Sequence, residues 1–301
     1  MIPEGGFQGS FDSHATVHSR VDRNVAIAGR HLNDGAFRGS AWDAGRRSAC
    51  WHVTSTAGLA YLGDIQNASE LRKELDLSAN SPLTHVLLAA WHRWSYDCLA
   101  RFDGVFVIAL YRDGELVLYR DPSGLLDLYC CTGMNGRINF SSHLETLLRE
   151  SGVERRLAHR SLHNYLRFGD IAAPDTIFEG VRAVEAGQLL RWTSAGIEMS
   201  QGPGAEPAIE SPADFAAAVD ALDAHAQRSV QARLGDAQRP AAFLSGGIDS
   251  ALICALASHK RPDIVAITVG FGGAAHDEAP VAERIATHLG LRHEILRFSH
   301  A

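Results

Sequence analysis

The sequence predicts an α+β sandwich domain followed by an α/β domain that forms part of a doubly wound parallel sheet. Three observations carry this reading. Apolar strand patterns with interleaved helical ones fill residues 57–142. A polar stretch rich in proline and glycine covers 201–212. From 241 onward strand and helix patterns alternate with short turns, the signature of a parallel sheet. A length of 301 residues suits two domains, and a hydrophobic fraction of 46% can fill two cores. The expected partition is 1–200, a linker over 201–212, and 213–301.

The elements follow in order. Helical patterns occupy 68–75 and 84–94. Residues 105–110 and 116–119 are continuous apolar runs joined by Arg112-Asp113-Gly114-Glu115, and an Asp-Gly pair between such runs marks a hairpin. Both strands are apolar on successive residues, so their sheet should be covered on both faces. A further helix is expected over 144–150, and a strand over 188–192. In the linker, three prolines, two glycines and two glutamates replace apolar content. Phe215, Val219, Leu222, Val230 and Leu234 then recur at helical spacing, predicting an amphipathic helix. Strand 241–244, helix 249–258, strand 264–269, helix 279–289 and strand 293–298 complete the chain.

Composition excludes several classes. The net charge of −7 is the opposite of a nucleic-acid footprint. The longest apolar runs fall well short of the roughly 20 residues of a membrane helix, and the N-terminus shows neither a basic nor an apolar leader segment. Cys50, Cys98, Cys130, Cys131 and Cys254 are odd in number and lack metal spacing. A reduced, cytoplasmic, soluble protein is expected, with neither nucleic acid nor membrane as partner.

The strongest chemical signal is Phe243-Leu244-Ser245-Gly246-Gly247-Ile248-Asp249-Ser250. An apolar strand runs into Ser-Gly-Gly and a helix begins at once. Two glycines let backbone approach an anion closely, and the free N–H groups of a helix start favour negative charge. Ser245 and Ser250 add hydroxyls, and Asp249 is a hard oxygen ligand suited to Mg²⁺. A plain Gly-rich turn capped by polar side chains is the competing explanation. The strand, the Ser-Gly-Gly-x-Asp-Ser string and the helix in one register favour a nucleotide site. No Gly-Lys-Ser/Thr follows, so it is not a Walker loop.

This string resembles the pyrophosphate loop of the N-type ATP pyrophosphatases, in the form found in asparagine synthetases. Other segments are similar to that family in the same order. They include Arg101-Phe102-Asp103-Gly104-Val105-Phe106, Tyr119-Arg120-Asp121-Pro122-Ser123-Gly124 and Tyr165-Leu166-Arg167-Phe168-Gly169. Thr176-Ile177-Phe178-Glu179-Gly180-Val181, Ile267-Thr268-Val269-Gly270-Phe271, Asp277-Glu278 and His293-Glu294 continue the series. The resemblance implies an N-terminal-nucleophile-type glutaminase sandwich, then a partial domain of the nucleotide α-hydrolase type. It implies ATP and Mg²⁺ as cofactors. Leu244, Ser245, Gly246, Gly247, Asp249, Ser250 and Val269 would bind ATP and pyrophosphate, with Asp249 also holding the metal. The implied chemistry is carboxylate adenylation, pyrophosphate release and amine attack, forming an amide.

Two departures qualify that expectation. Where the family's nucleophilic cysteine should stand, this chain has Gly5, with four residues still ahead of it. The family's Asn-Gly-Glu grip on glutamine matches Leu62-Gly63-Asp64, and its downstream aspartate matches Leu83. Glutaminase activity is therefore not expected, because glycine offers no attacking atom and leucine cannot pair the polar substrate. Such loss resembles β-lactam synthetases and lasso-peptide cyclases, which use the substrate's own amine. The expected partners are a carboxylate and amine substrate, with a precursor peptide as one form. The family's second acidic metal motif would lie beyond Ala301, so the expectation is either a truncated product or fragment, or a second polypeptide that supplies that half. An ammonia-dependent asparagine synthetase and a non-catalytic ATP-binding scaffold remain as alternatives.

Other features read as structural. Fifteen histidines include His14, His18 and His31 in a polar region, and His159 with His163 four apart on one helix; neither group has a full ligand set. Trp91, Trp94 and Tyr96 fall at near-helical spacing and suit a core. Arg46-Arg47 and Arg155-Arg156 suit the surface.

Overall fold

The computed structural model describes residues 6–11, 30–34, 37–42, 48–53, 57–133, 137–204, 212–235, 237–271 and 277–298; side chains are described from residue 57 onward. It divides into two compact units, Met1–Pro207 and Ala208–Ala301.

The first unit opens with strands β1 (Gly6–Phe11), β2 (Arg30–Asp34), β3 (Phe37–Trp42), β4 (Ser48–Val53) and β5 (Ala57–Ile65). Helices α1 (Ala68–Glu74) and α2 (Leu83–Trp94) follow, then a 3-10 turn at Ser95–Asp97 and a short α3 (Cys98–Arg101). The expected hairpin is β6 (Gly104–Arg112) and β7 (Glu115–Arg120). After it come β8 (Tyr129–Thr132), β9 (Ile138–Ser141), α4 (Leu144–Ser151), α5 (His159–Phe168), β10 (Val181–Ala183), β11 (Gln188–Thr193) and β12 (Gly196–Gln201).

These strands make two antiparallel sheets, ordered β10-β8-β9-β1-β3-β2 and β12-β11-β7-β6-β5-β4. Strand periodicity explains how they stack. On β6, Val107, Ala109 and Tyr111 face the first sheet, where Cys130, Ile138 and Phe140 meet them in one buried cluster. The intervening Phe106, Ile108 and Leu110 face the other way, onto Leu71, Val86, Leu87, Trp91 and Leu99 of α1, α2 and α3. The expectation of a sheet covered on both faces is met. On the far side of the first sheet α4 supplies Leu147 and Leu148, packed with Cys131 and Val181. The unit is an αββα sandwich.

Trp91 is 2% exposed, and Trp94 and Tyr96 pack against the same cluster, as the spacing suggested. Arg155, Arg156, His159 and His163 are exposed. Arg46, Arg47, His14, His18 and the Cys50 side chain lie outside the described residues.

The expected linker starts too early. Gln201 ends β12, the Gly202 N–H donates to the Gly187 carbonyl at 2.8 Å, and Gly202 lies against the Tyr119 ring. Gly202 and Gly204 reflect close packing on the sandwich, where a Cβ on Gly204 would lie 3.2 Å from Ala100 Cα.

The second unit begins with α6 (Phe215–Leu234), capped by Asp214, whose Oδ1 accepts from Ala217 N–H at 2.8 Å. It continues with β13 (Ala241–Phe243), α7 (Ile248–Lys260), β14 (Val265–Phe271), α8 (Ala279–Leu289) and β15 (Arg292–Phe298). The strands are parallel in the order β13-β14-β15. One sheet face is buried under α7 and α8 through Leu244, Ala266, Cys254, Ala282 and Ala286. The other carries Phe243, Val269, Phe271, Leu296 and Phe298, all exposed. α6 has helical apolar spacing yet buries no residue: Phe215 is 85% and Leu222 67% exposed.

Candidate functional site

The Ser-Gly-Gly string lies where β13 ends and α7 begins, at the carboxyl edge of the parallel sheet. In open α/β sheets this edge is where ligands sit, because helix N-termini converge on it. Leu244, 2% exposed, anchors the loop in the core. Its N–H donates to the Ile267 carbonyl at 2.8 Å, the last rung between the two strands.

The loop's polar groups bond to one another. Ser250 Oγ donates to the Gly247 carbonyl (3.1 Å) and accepts from the Ser245 N–H (3.0 Å). With its proton so committed, Ser250 Oγ accepts from Ser245 Oγ at 2.8 Å. Ser245 Oγ in turn accepts from the Gly247 N–H at 3.2 Å. The two serines, read from the sequence as donors to a ligand, here set the loop's shape.

Gly247 is the N-cap of α7, with φ −85° and ψ 155° and no side-chain cap. Its glycine is not needed for backbone strain. A Cβ there would meet only Ser245 Oγ at 3.3 Å, so the helix start opens onto unfilled space. At Gly246 a Cβ would lie 3.3 Å from Val281 Cβ of α8, so that glycine serves packing. Asp249, in the first turn of α7, is exposed.

Strand parity places Val269. In a parallel ladder alternate residues turn their N–H and C=O to the same neighbour. The Val265 N–H donates to the Pro240 carbonyl, and the Ile267 carbonyl accepts from Leu244. Val269 therefore turns its backbone groups toward the β13 side, past the point where β13 ends. Leu244, Val269 and the Ser245–Ser250 string are thus brought to one edge.

These residues fit a polyphosphate, with an uncapped helix N-terminus and open space at Gly247. Toward Mg²⁺ they offer one carboxylate, Asp249. No group of three His, Cys, Asp or Glu side chains able to hold a metal occurs among the described residues.

Sequence reasoning missed the inward side chains behind the loop. Thr268, 2% exposed, donates through Oγ1 to the Leu244 carbonyl at 2.6 Å and lies 2.7 Å from His293 Nε2. The signal was a lone hydroxyl at an inward position of an apolar parallel strand. Asp277 Oδ1 also accepts from the Phe271 (3.2 Å) and Ala279 (3.1 Å) N–H groups, joining β14 to the start of α8. Cys254 is buried beneath β13, and that burial pushes its thiol pKa up.

In the sandwich, the residues matched to a glutamine grip do not converge. Leu62 is 3% exposed in the cluster between the sheets, whereas Leu83 packs with the helices on the opposite face. Gly63 has φ +146°, and a Cβ on it would lie 2.2 Å from the Val105 carbonyl oxygen. Its retention is explained by the β5–β6 approach alone. Gly5 lies outside the described residues.

An αββα sandwich followed by a parallel βαβαβ unit with a Ser-Gly-Gly loop at its first strand defines a class: a glutamine-amidotransferase-type domain joined to an asparagine-synthase-type one. Residues 35–201 match the glutamine amidotransferase domain family, and 221–301 match the asparagine synthase family. The chain belongs to the asparagine synthetase-like superfamily.

A putative glutamine-hydrolyzing asparagine synthetase of Mycobacterium tuberculosis (strain ATCC 25618 / H37Rv) is 31% identical over 250 residues, covering 78% of this chain and 38% of that protein. Glutamine-hydrolyzing asparagine synthetase 1 of Bacillus subtilis (strain 168) is 26% identical over 254 residues, with the same coverage of each chain. The chain thus spans about two fifths of the length of these curated relatives. A glutamine phosphoribosylpyrophosphate amidotransferase from B. subtilis, solved with ADP and GMP, overlaps with a TM-score of 0.40 at 13% identity, over 97% of this chain and 59% of that one. Among the described residues no helix is long and apolar enough to cross a membrane.

Proposed function

We propose that this chain is part of an ATP-dependent amide-forming ligase without glutaminase activity, working in the cytoplasm and closing a lactam on a peptide or small molecule. The observation that carries the reading is the Ser245–Ser250 loop, an open helix N-terminus at the carboxyl edge of a parallel sheet in an asparagine synthetase-like chain.

In this reading a substrate carboxylate oxygen attacks the α-phosphorus of ATP, the bond to the bridging oxygen breaks, and pyrophosphate leaves. An amine then attacks the acyl carbon and AMP departs. The N–H groups at the start of α7 hold the pyrophosphate oxygens, which requires the Gly247 N–H to leave Ser245 Oγ for the ligand. Backbone groups of Leu244 and Val269 take the adenosine end. Asp249 would contribute to holding Mg²⁺, which when bound would neutralise charge on the phosphates.

The absence of glutaminase activity is supported by Gly5 at the nucleophile position and by Leu62 buried in the inter-sheet core. A ligase without a glutaminase needs another amine. An amine carried by the substrate meets that need within one molecule, which gives a lactam. Use of free ammonia to make asparagine is the second reading, favoured by the 31% identity to a protein named as an asparagine synthetase. We also propose that a polypeptide carrying the remainder of an asparagine synthase domain completes the site, because no group of three side chains able to hold a metal occurs among the described residues.

ATP–pyrophosphate exchange tests this directly. The purified chain alone should give none, since losing one preorganised electrostatic group commonly costs about 10²–10³ in rate. Adding a polypeptide with the remaining half should restore exchange, and Asp249→Asn should remove it. Robust exchange by the chain alone would contradict the incomplete site. Glutamate release from glutamine above a buffer blank would contradict the lost glutaminase.

A further inference from the structure

The peptide that opens the Ser-Gly-Gly loop is held by a relay crossing all three strands of the second unit. A threonine hydroxyl has one proton, and the Leu244 carbonyl can only accept. At 2.6 Å the Thr268 proton is therefore committed to Leu244. His293 Nε2, 2.7 Å from the same Oγ1, must then be the donor. This fixes the imidazole as the tautomer protonated at Nε2. His293 of β15 donates to Thr268 of β14, which donates to Leu244 at the end of β13.

The Leu244–Ser245 peptide is consequently gripped at both ends. Thr268 holds its carbonyl, and Ser250 Oγ accepts from its N–H at 3.0 Å. A peptide unit is planar, so holding both groups sets its rotation about the chain and the direction in which Ser245 enters the loop. Thr268 is 2% exposed, so an unmet hydroxyl there would be costly. Each bond in such a chain polarises the next, which strengthens the hold on the carbonyl.

We propose that His293, acting through Thr268, is a positioning residue for the polyphosphate site. It makes no hydrogen bond to the loop itself, yet it orients the peptide that leads into residues 246–249 at the helix start. The inference rests on the nucleotide reading above and adds to it a residue from a strand the loop does not belong to.

The test uses the full chain labelled with ¹⁵N-histidine, the His293 signal being assigned by its loss in His293→Gln. The expected spectrum shows His293 protonated at Nε2. Binding of inorganic pyrophosphate with Mg²⁺ is then measured for four variants, each checked for wild-type folding by circular dichroism. Thr268→Val and His293→Ala should weaken binding roughly three- to tenfold, the worth of one net hydrogen bond. Thr268→Ser and His293→Gln keep a donor at the same place and should bind as wild type does. Amide exchange at Ser245 should quicken in the first pair only.

A His293 protonated at Nδ1 alone would overturn the proposal. So would Thr268→Val binding as wild type does, or conservative variants failing alongside the deletions. Failure of the wild-type chain to bind pyrophosphate would instead overturn the nucleotide reading. The tautomer and the Ser245 exchange rate would then decide whether the relay exists.

Discussion

Cys98, Cys130, Tyr119 and Tyr129 carry protons the fold is built around. Burial is the first cause in each case and lifts each pKa to about 12, with Asp97 adding to the shift at Cys98, Cys131 at Cys130, Asp121 at Tyr119 and Asp127 at Tyr129. The neutral form is favoured in the fold over the unfolded chain, where thiols titrate near 9.0 and phenols near 10.0. The stabilisation is complete below those values and is lost as pH climbs toward the folded ones. Thermal midpoints should therefore hold to about pH 9 and fall steadily above it, with a shallower fall in Tyr129→Phe. A flat midpoint through pH 11 would show that these groups do not govern alkaline stability. The second causes stood within two residues in the sequence, but burial, the larger one, was not legible there, because it arises only when the sheets and helices close over each side chain.

The β5–β6 pair shows what an element demands of its residues. Its register sets Gly63 opposite Phe106 and Ile65 opposite Gly104. Gly104 has φ +155°, and a Cβ there would lie 2.0 Å from the Asp64 carbonyl oxygen. Two glycines on facing strands thus let the backbones meet where side chains could not fit. Gly104→Ala should destabilise the protein by more than about 2 kcal/mol, since it adds a backbone clash to conformational strain. Equilibrium denaturation checks this, and a loss under about 0.5 kcal/mol, ordinary for a surface change, would refute it. The hairpin that follows was legible because apolar runs and Asp113-Gly114 state it locally. Strands β8 and β9 were not, since four-residue strands flanked by loops carry little periodicity. α6 shows the converse: its apolar spacing is plain, yet in this unit none of its residues is buried.

Across the whole molecule, the division into sandwich and parallel sheet was readable because strand-rich and alternating patterns differ in kind. The loop was readable because strand, glycines and helix fall within eight consecutive residues. The grip on Leu244 was not, because His293 and Thr268 lie on strands 25 residues apart and meet only through sheet register. The residues aligned with a glutamine grip were legible as a string, but only the fold shows Leu62 and Leu83 on opposite faces of one sheet. On the proposed function, Ser245–Ser250 is a polyphosphate site held open by Gly247. Calorimetric titration of the full chain with Mg·ATP, beside Gly247→Val, tests it most directly. Wild type should bind and the variant should not, with folding retained because Gly247 has an ordinary φ of −85°. Equal binding by both chains, or binding by neither, would contradict it.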